Sequence, residues 1–170
     1  YRFPKGTSDI AVLRRAYKIM QAHLLAAWGD RHVTSPLISP HDALVLASII
    51  EKETGRGEDR GLIGAVFSNR LRIGMRLQAD PTVIYGIGPH FDGNLRRKDL
   101  MHDTPYNTYT RIGLPPTPIA MPGLASLRAA VQPVQSDVLY FVSKGDGTSQ
   151  FSKTLDEHNQ AVARYQRQGG

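Results

Sequence analysis

Ser39-Pro40-His41-Asp42-Ala43-Leu44-Val45-Leu46-Ala47-Ser48-Ile49-Ile50-Glu51-Lys52-Glu53-Thr54-Gly55 is the stretch on which the fold turns. Ser39 is an N-cap, Pro40 suits the first helical position and Asp42 puts a negative charge in the first turn, so a helix starts here. Gly55 is the natural stop. Val45 or Leu46, Ile49, Ile50 and Glu53 follow helical spacing, so Glu53 extends an apolar stripe. Partial desolvation raises the pKa of such a carboxyl, and the negative end of the helix dipole raises it further. Both effects favour the protonated form near neutral pH, the state a general acid needs. Two plainer readings stand beside this one. Glu53 could be a solvated residue at a fraying helix end, and Glu51, which follows Leu44, Ala47 and Ser48 on a weaker stripe, competes for the same role. The two carboxylates lie roughly 200° apart around a helix and should not share one site.

Outward from this helix the pattern stays helical on both sides. Upstream, Ser8 or Thr7 can cap a first helix in which Ile10, Leu13, Tyr17, Met20 and Leu24 recur at three- and four-residue steps. Downstream, Ile63, Val66, Phe67 and Leu71 share a stripe and predict a third helix over about residues 60–72. From 74 to 122 the texture becomes irregular, with frequent Pro, Gly, aromatic and amide residues; a segment this long inside one domain is usually functional. A helix over 123–131 follows. Val138-Leu139-Tyr140-Phe141-Val142 then reads as a strand, Gly145-Asp146-Gly147 as a turn and Gln150-Phe151-Ser152 as the returning strand. Thr154 and Glu157 make a capping box for a last helix. The expected fold class is α+β: a helical body with a small antiparallel β element and a long irregular segment.

Composition narrows the functional classes. The 170 residues suit a single domain, 1–170, with a real core. No cysteine is present, which removes disulfides, thiolate metal sites and thiol redox chemistry. The net charge of +6 favours an anionic partner, whether nucleic acid, membrane surface or cell-wall polymer. No run approaches the ~20 apolar residues that span a bilayer. Tyr1-Arg2-Phe3-Pro4-Lys5 reads as a cut inside a longer chain rather than as a start or a signal peptide. The six histidines are scattered, so no metal motif appears, and neither a nucleophile elbow nor a phosphate-binding glycine loop is present. No metal and no cofactor is expected.

The irregular segment supplies further site candidates. Gln78 offers a sugar-binding amide. Asp80 is either a second catalytic carboxylate or the cap of a turn fixed by Pro81. Asn69, on the third helix, can bond to a cleft or to neighbouring backbone. Tyr106-Asn107-Thr108-Tyr109 combines aromatic faces with amides and hydroxyls suited to sugars, although such tyrosines also serve as core packing with a tethered hydroxyl. Arg70, Arg72, Arg76, Arg96, Arg97 and Lys98 either line an anionic groove or form an ordinary solvated basic surface.

The run Leu46-Ala47-Ser48-Ile49-Ile50-Glu51-Lys52-Glu53-Thr54 resembles the signature of the endolytic murein transglycosylases, the YceG-like family. Three further blocks agree in order and spacing: residues 66–86, with Gln78-Ala79-Asp80-Pro81 at their centre; Tyr106 to Tyr109 with Gly113-Leu114-Pro115-Pro116; and Leu139-Tyr140-Phe141-Val142 with Phe151 and His158-Asn159. The resemblance implies a lysozyme-like arrangement around a catalytic helix and selects Glu53 over Glu51. Glu53-Thr54 is similar to the Glu-Ser pair of the soluble lytic transglycosylases. It also implies a non-hydrolytic cut between N-acetylmuramic acid and N-acetylglucosamine, with Glu53 acting as acid and then as base. The implied substrate is the peptidoglycan glycan strand, with peptidoglycan synthases as neighbours. The implied full-length protein carries an N-terminal membrane anchor and a LysM-like region, absent here, and works at the periplasmic face of the bacterial inner membrane. Two other readings remain: a muramidase-type hydrolase using Glu53 with Asp80, and a binding module without chemistry. No recognised nucleic-acid motif supports the latter.

Overall fold

The computed structural model describes residues 2–166; Tyr1 and residues 167–170, the ends of the expected 1–170 domain, lie outside the described residues. Its centre is the helix that the decisive stretch predicts. This helix, α2 (Pro40–Glu53), starts with a complete capping box in which Ser39 and Asp42 satisfy each other's backbone N–H groups. From Val45 to Ile50 every side chain is buried, so α2 is apolar all round rather than along one stripe. Ser48 is tolerated there because its hydroxyl donates to the Val45 carbonyl at 2.7 Å and accepts from the Ile119 N–H at 2.9 Å. The helix does not stop through Gly55. Thr54 is already extended, at φ −145° and ψ 137°, and its hydroxyl accepts from the Arg56 N–H to turn the chain.

Around α2 pack α1 (Asp9–Gly29), α3 (Gly57–Arg72) and α6 (Leu124–Val131). Helix α3 begins about three residues before the expected position, with Glu58 and Asp59 in its positively polarised first turn. It approaches α6 closely at Gly64, where a Cβ would fall inside van der Waals contact of the Ala129 carbonyl oxygen. The hairpin of β1 (Tyr140–Ser143) and β2 (Ser149–Ser152) is antiparallel, pairing Tyr140 with Ser152 and Phe141 with Phe151. Phe67 of α3 meets Phe141 edge to face at 6.0 Å, and α7 (Leu155–Tyr165) covers the hairpin from the other side.

Two expectations change. The irregular segment contains α4 (Asp80–Ile87), a short 3-10 turn (Gly88–His90) and α5 (Arg97–Met101). Asp80 therefore opens a helix instead of capping a loop turn, with Pro81 in that helix's first turn. The stripe of α1 is also only half used: Met20 and Leu24 pack on the core, whereas Ile10, Leu13 and Tyr17 stay exposed. The architecture is α+β, and among the described residues no helix is long and apolar enough to cross a membrane.

The close α3–α6 crossing yields a stability test. Gly64→Ala should gain helix propensity but lose roughly 1–3 kcal/mol to the backbone clash, and thermal unfolding should show a clear net decrease in Tm.

Candidate active site

The two carboxylates of α2 meet opposite environments. Glu51 faces the N-terminus of α6, where its carboxylate accepts from the Gly123 N–H at 3.0 Å and the Ser126 hydroxyl at 2.6 Å. These hydrogen bonds, assisted by Arg60, hold its pKa below the usual carboxylate range. Glu51 thus caps a helix from outside it, and its role is structural. Glu53, two residues on, faces an open cleft, and no hydrogen bond from the described residues steadies its carboxyl. Burial pushes its pKa up to about 7, the negative charge of Asp80 adds to the rise, and Arg70 opposes it.

The cleft consists of two cavities that meet at Glu53. One, of about 350 Å³, is walled by Arg70, Gln78, Tyr140 and Leu155; the other, of about 570 Å³, runs past Thr54, Ser143, Thr148 and Ser149. Glu53, Asp80, Tyr109, Phe141 and His158 border both. An apolar hollow of about 390 Å³ between α1 and the 118–122 segment holds no carboxylate, histidine or cation and shares no lining residue with this cleft.

Arg70, one of six cations expected either to line a groove or to form a solvated basic surface, is buried at 6% exposure and borders the cleft. It lies one helical turn beyond Val66 and Phe67, so the stripe that sends those residues inward also carries Arg70. Its Nε donates to the Leu139 carbonyl at 2.7 Å and one terminal nitrogen donates to the Leu77 carbonyl at 2.7 Å. The guanidinium lies 5.4 Å from the centre of the Tyr140 ring. It therefore ties the strand wall of the cleft to the segment that leads into Gln78.

Gln78 is the only non-glycine with positive φ among the described residues, at 50°. Such a conformation costs energy and persists only where neighbours over-determine it. Thr108 does so here: its carbonyl accepts from the Gln78 N–H at 3.1 Å and its hydroxyl accepts from the Ala79 N–H at 3.0 Å. Asn107, fully buried, holds Thr108 in place by donating to the His102 carbonyl at 2.7 Å and accepting from the Tyr109 N–H at 2.8 Å. Tyr109 then donates from its hydroxyl to Asp80 at 2.5 Å. Burial and this acceptor raise the phenol's pKa and keep it protonated.

The structure thus brings Gln78, Asp80 and Tyr109 to Glu53. Asn107 and Thr108 lie behind them as supports. Tyr106 packs on Tyr85 at 4.9 Å and bonds Thr117, while the Asn69 amide is spent on the Ser136 and Val138 carbonyls, both at 2.9 Å. Neither Tyr106 nor Asn69 borders the two cavities. Sequence reasoning offered Arg70 only as one of six cations that could line a groove, and it gave His158 no place in the site. The first was signalled by the α3 stripe; the second had only its place in a matching block.

A raised-pKa carboxylic acid in an open, two-sided cleft is the arrangement that general acid catalysis requires. The profile of the YceG-like family matches residues 1–164, and the chain belongs to that family. It is 49% identical over 128 residues to the endolytic murein transglycosylase of Bacillus subtilis (strain 168), a match that covers 75% of this chain and 35% of that protein. To the endolytic murein transglycosylase of Streptococcus pneumoniae serotype 2 it is 33% identical over 138 residues, covering 78% of this chain and 25% of that protein. The chain therefore spans about a quarter to a third of these relatives. The crystal structure of a YceG-like protein from Listeria monocytogenes superposes with a TM-score of 0.77 at 41% identity, covering 94% of this chain and 51% of that one.

Glu53 and Glu51 should separate cleanly in stability measurements. The folded-state pKa of Glu53, about 7, lies above the ordinary carboxyl value of 4.5. The folded state therefore loses stability as pH rises from the lower value through the higher one, and the loss levels off above it. Glu53→Gln should then be more stable than the parent at pH 8, by on the order of 2–3 kcal/mol, with the difference shrinking toward pH 5. Glu51→Ala should instead cost about 1–2 kcal/mol through the lost helix cap. Denaturant titrations at both pH values check each sign.

Proposed function

We propose that the chain is the catalytic part of an endolytic murein transglycosylase, cutting the β-1,4 bond between N-acetylmuramic acid and N-acetylglucosamine and leaving a 1,6-anhydromuramyl end. The observation that carries this reading is Glu53 itself: a desolvated acid with a pKa near neutrality, standing where two cavities join. Protonated Glu53 donates to the glycosidic oxygen while the bond from that oxygen to the muramyl C1 breaks. The N-acetylglucosamine leaves with its 4-hydroxyl restored, and oxocarbenium-like charge develops at C1. The Glu53 carboxylate then takes the proton of the muramyl C6 hydroxyl, whose oxygen bonds to C1. Glu53 ends as it began, and no water is consumed.

Each supporting group has a part in this reading. Gln78, held in its strained conformation, presents an amide to the sugar, with Tyr109 beside it. Asp80 keeps Glu53 protonated before the cut, and Arg70 offsets the carboxylate's charge after it. The cleft continues on both sides of Glu53, which suits cleavage within a strand. The substrate is the peptidoglycan strand, and the cut limits the length of nascent glycan. Synthases extending that glycan are the expected neighbours of a membrane-anchored enzyme at the periplasmic face of the inner membrane.

A hydrolytic reading rests on one observation, that Asp80 borders both cavities together with Glu53. An ordinary glycosidase pairs two carboxyl groups and places water between or behind them. Asp80 is instead occupied by the Tyr109 hydroxyl, which favours the water-free route. Mass spectrometry of digested glycan decides: transglycosylation gives ends lighter by one water than hydrolysis does, and reducing muramyl ends throughout would defeat the proposal. Glu53→Gln should lower kcat by roughly 10²–10⁴-fold.

The electrostatics also predict a pH profile. Because Glu53 must start protonated, kcat/KM should fall as pH rises through about 7. Asp80→Asn removes a charge that raises this pKa, so the descending limb should move to lower pH. An unmoved limb would detach Asp80 from the control of Glu53.

A further inference from the structure

His158 takes no part in the chemistry above, yet it borders both cavities at Glu53. It sits near the start of α7, where the capping box of Thr154 and Glu157 fixes the helix and so the direction in which the side chain leaves it. Its ring stacks on Tyr140 at 5.2 Å with 23° between the planes. Tyr140 is itself backed by the guanidinium of Arg70. Imidazole, phenol and guanidinium thus lie side by side along the strand wall, and of the three only the imidazole borders both cavities.

The two ring nitrogens of His158 differ in their surroundings. Nδ1 is buried and has no hydrogen-bond partner; Nε2 is not among the buried unpaired atoms. Burial, and after it the charge of Arg70, lower the pKa of the ring, so it is neutral at pH 7 and carries a single N–H. A buried N–H left without an acceptor is rarer and more costly than an unpaired lone pair. The proton therefore belongs on Nε2, the nitrogen on the accessible edge. The groups facing the same space are Glu53 from α2, Arg70 from α3, Asp80 from α4, and Tyr109 and Tyr140. Arg70 spends Nε and one terminal nitrogen on backbone carbonyls, and the Tyr109 hydroxyl is committed to Asp80. Nε2 thus joins the Gln78 amide as a donor facing an aminosugar, which presents an acetamido carbonyl and several ether and hydroxyl oxygens.

We infer that His158 is a substrate-contacting residue, backed by Tyr140 and open to both cavities, that donates a hydrogen bond from Nε2 to an oxygen of the aminosugar bound across Glu53. The inference rests on the transglycosylase reading and assigns that site a specificity residue. His158 neither gives nor takes a proton in the reaction; it holds the sugar in register with the acid.

Binding can be measured without turnover by calorimetry of a purified glycan oligosaccharide with the Glu53→Gln protein. Adding His158→Phe keeps an aromatic ring over Tyr140 but removes the donor, and should raise Kd roughly tenfold, about 1.4 kcal/mol. His158→Leu removes the donor in a different shape and should do the same, which guards against a folding failure of either variant. His158→Gln places an amide N–H near the position of Nε2 and should recover most of the affinity. In the active protein, His158→Phe should raise KM more than it lowers kcat. Unchanged binding by both Phe and Leu variants would overturn the inference. Equal weakening by Gln would overturn it too, since ring packing and not the N–H would then matter. A Glu53→Gln parent that binds no glycan would instead sink the reading on which the inference rests.

Discussion

The buried guanidinium of Arg70 is the constraint on which the cleft depends. Its two short hydrogen bonds join the Leu77 carbonyl, in the segment before α4, to the Leu139 carbonyl, just before β1. Those segments are the two walls of the cleft, and no strand pairing links them, because the sheet among the described residues has two strands, β1 and β2. Without the cation both carbonyls would lose their partners, and a buried polar group left unpaired costs about 1–3 kcal/mol. The same charge acts on Glu53. Burial and Asp80 favour the acid; Arg70 favours the carboxylate. In the proposed reaction Glu53 gives a proton and then takes one, which works best when neither state is strongly preferred, and a pKa near 7 reflects that opposition.

Two glutamates two residues apart end with pKa values displaced in opposite directions, and helix geometry is the reason. Roughly 200° of rotation separates them. One side of α2 meets the free N–H groups at the start of α6, where a carboxylate is welcome; the other side ends at the cleft, where no donor reaches the carboxyl. Glu51 in turn helps fix α6, and α6 is the principal neighbour of the helix that carries Glu53.

The parts of the fold that rest on local signals were legible in the sequence. The N-cap with proline at Ser39-Pro40 and the capping box at Thr154 place two helix starts, and the apolar run of α2 marks the core. Helix α4, at eight residues, and α5, at five, are too short to show a period, so the segment containing them read as irregular. The start of α3 was missed because Arg56 makes no side-chain cap. In the site, periodicity pointed to Glu53 without choosing it over Glu51, since the choice depends on α6, about seventy residues away in sequence. Asn107 and Thr108 carry the chemistry of sugar ligands yet spend it on backbone. Which amides face a cleft and which face a carbonyl depends on tertiary contacts that composition does not encode.

Three locally unfavourable features gather within this one cleft: a desolvated carboxyl without a hydrogen bond at Glu53, a positive φ at Gln78 and an unpaired buried nitrogen at His158. Each costs stability where it stands, and Gln78 does so between the core residues Leu77 and Ala79. Features of this kind persist where the surroundings over-determine them. Here the surroundings are identifiable: the sealed length of α2 behind Glu53, the Asn107–Thr108 brace behind Gln78, and the Tyr140–Arg70 layer behind His158. Asn107, Thr108 and Arg70 among the supports are buried and hydrogen-bonded while the groups they hold are strained or unpaired, so the rigid part of the molecule fixes the geometry of its least stable part. That division favours a preorganised cleft over one assembled by the substrate. The unmet hydrogen-bonding capacity in it is what a polar glycan can fill.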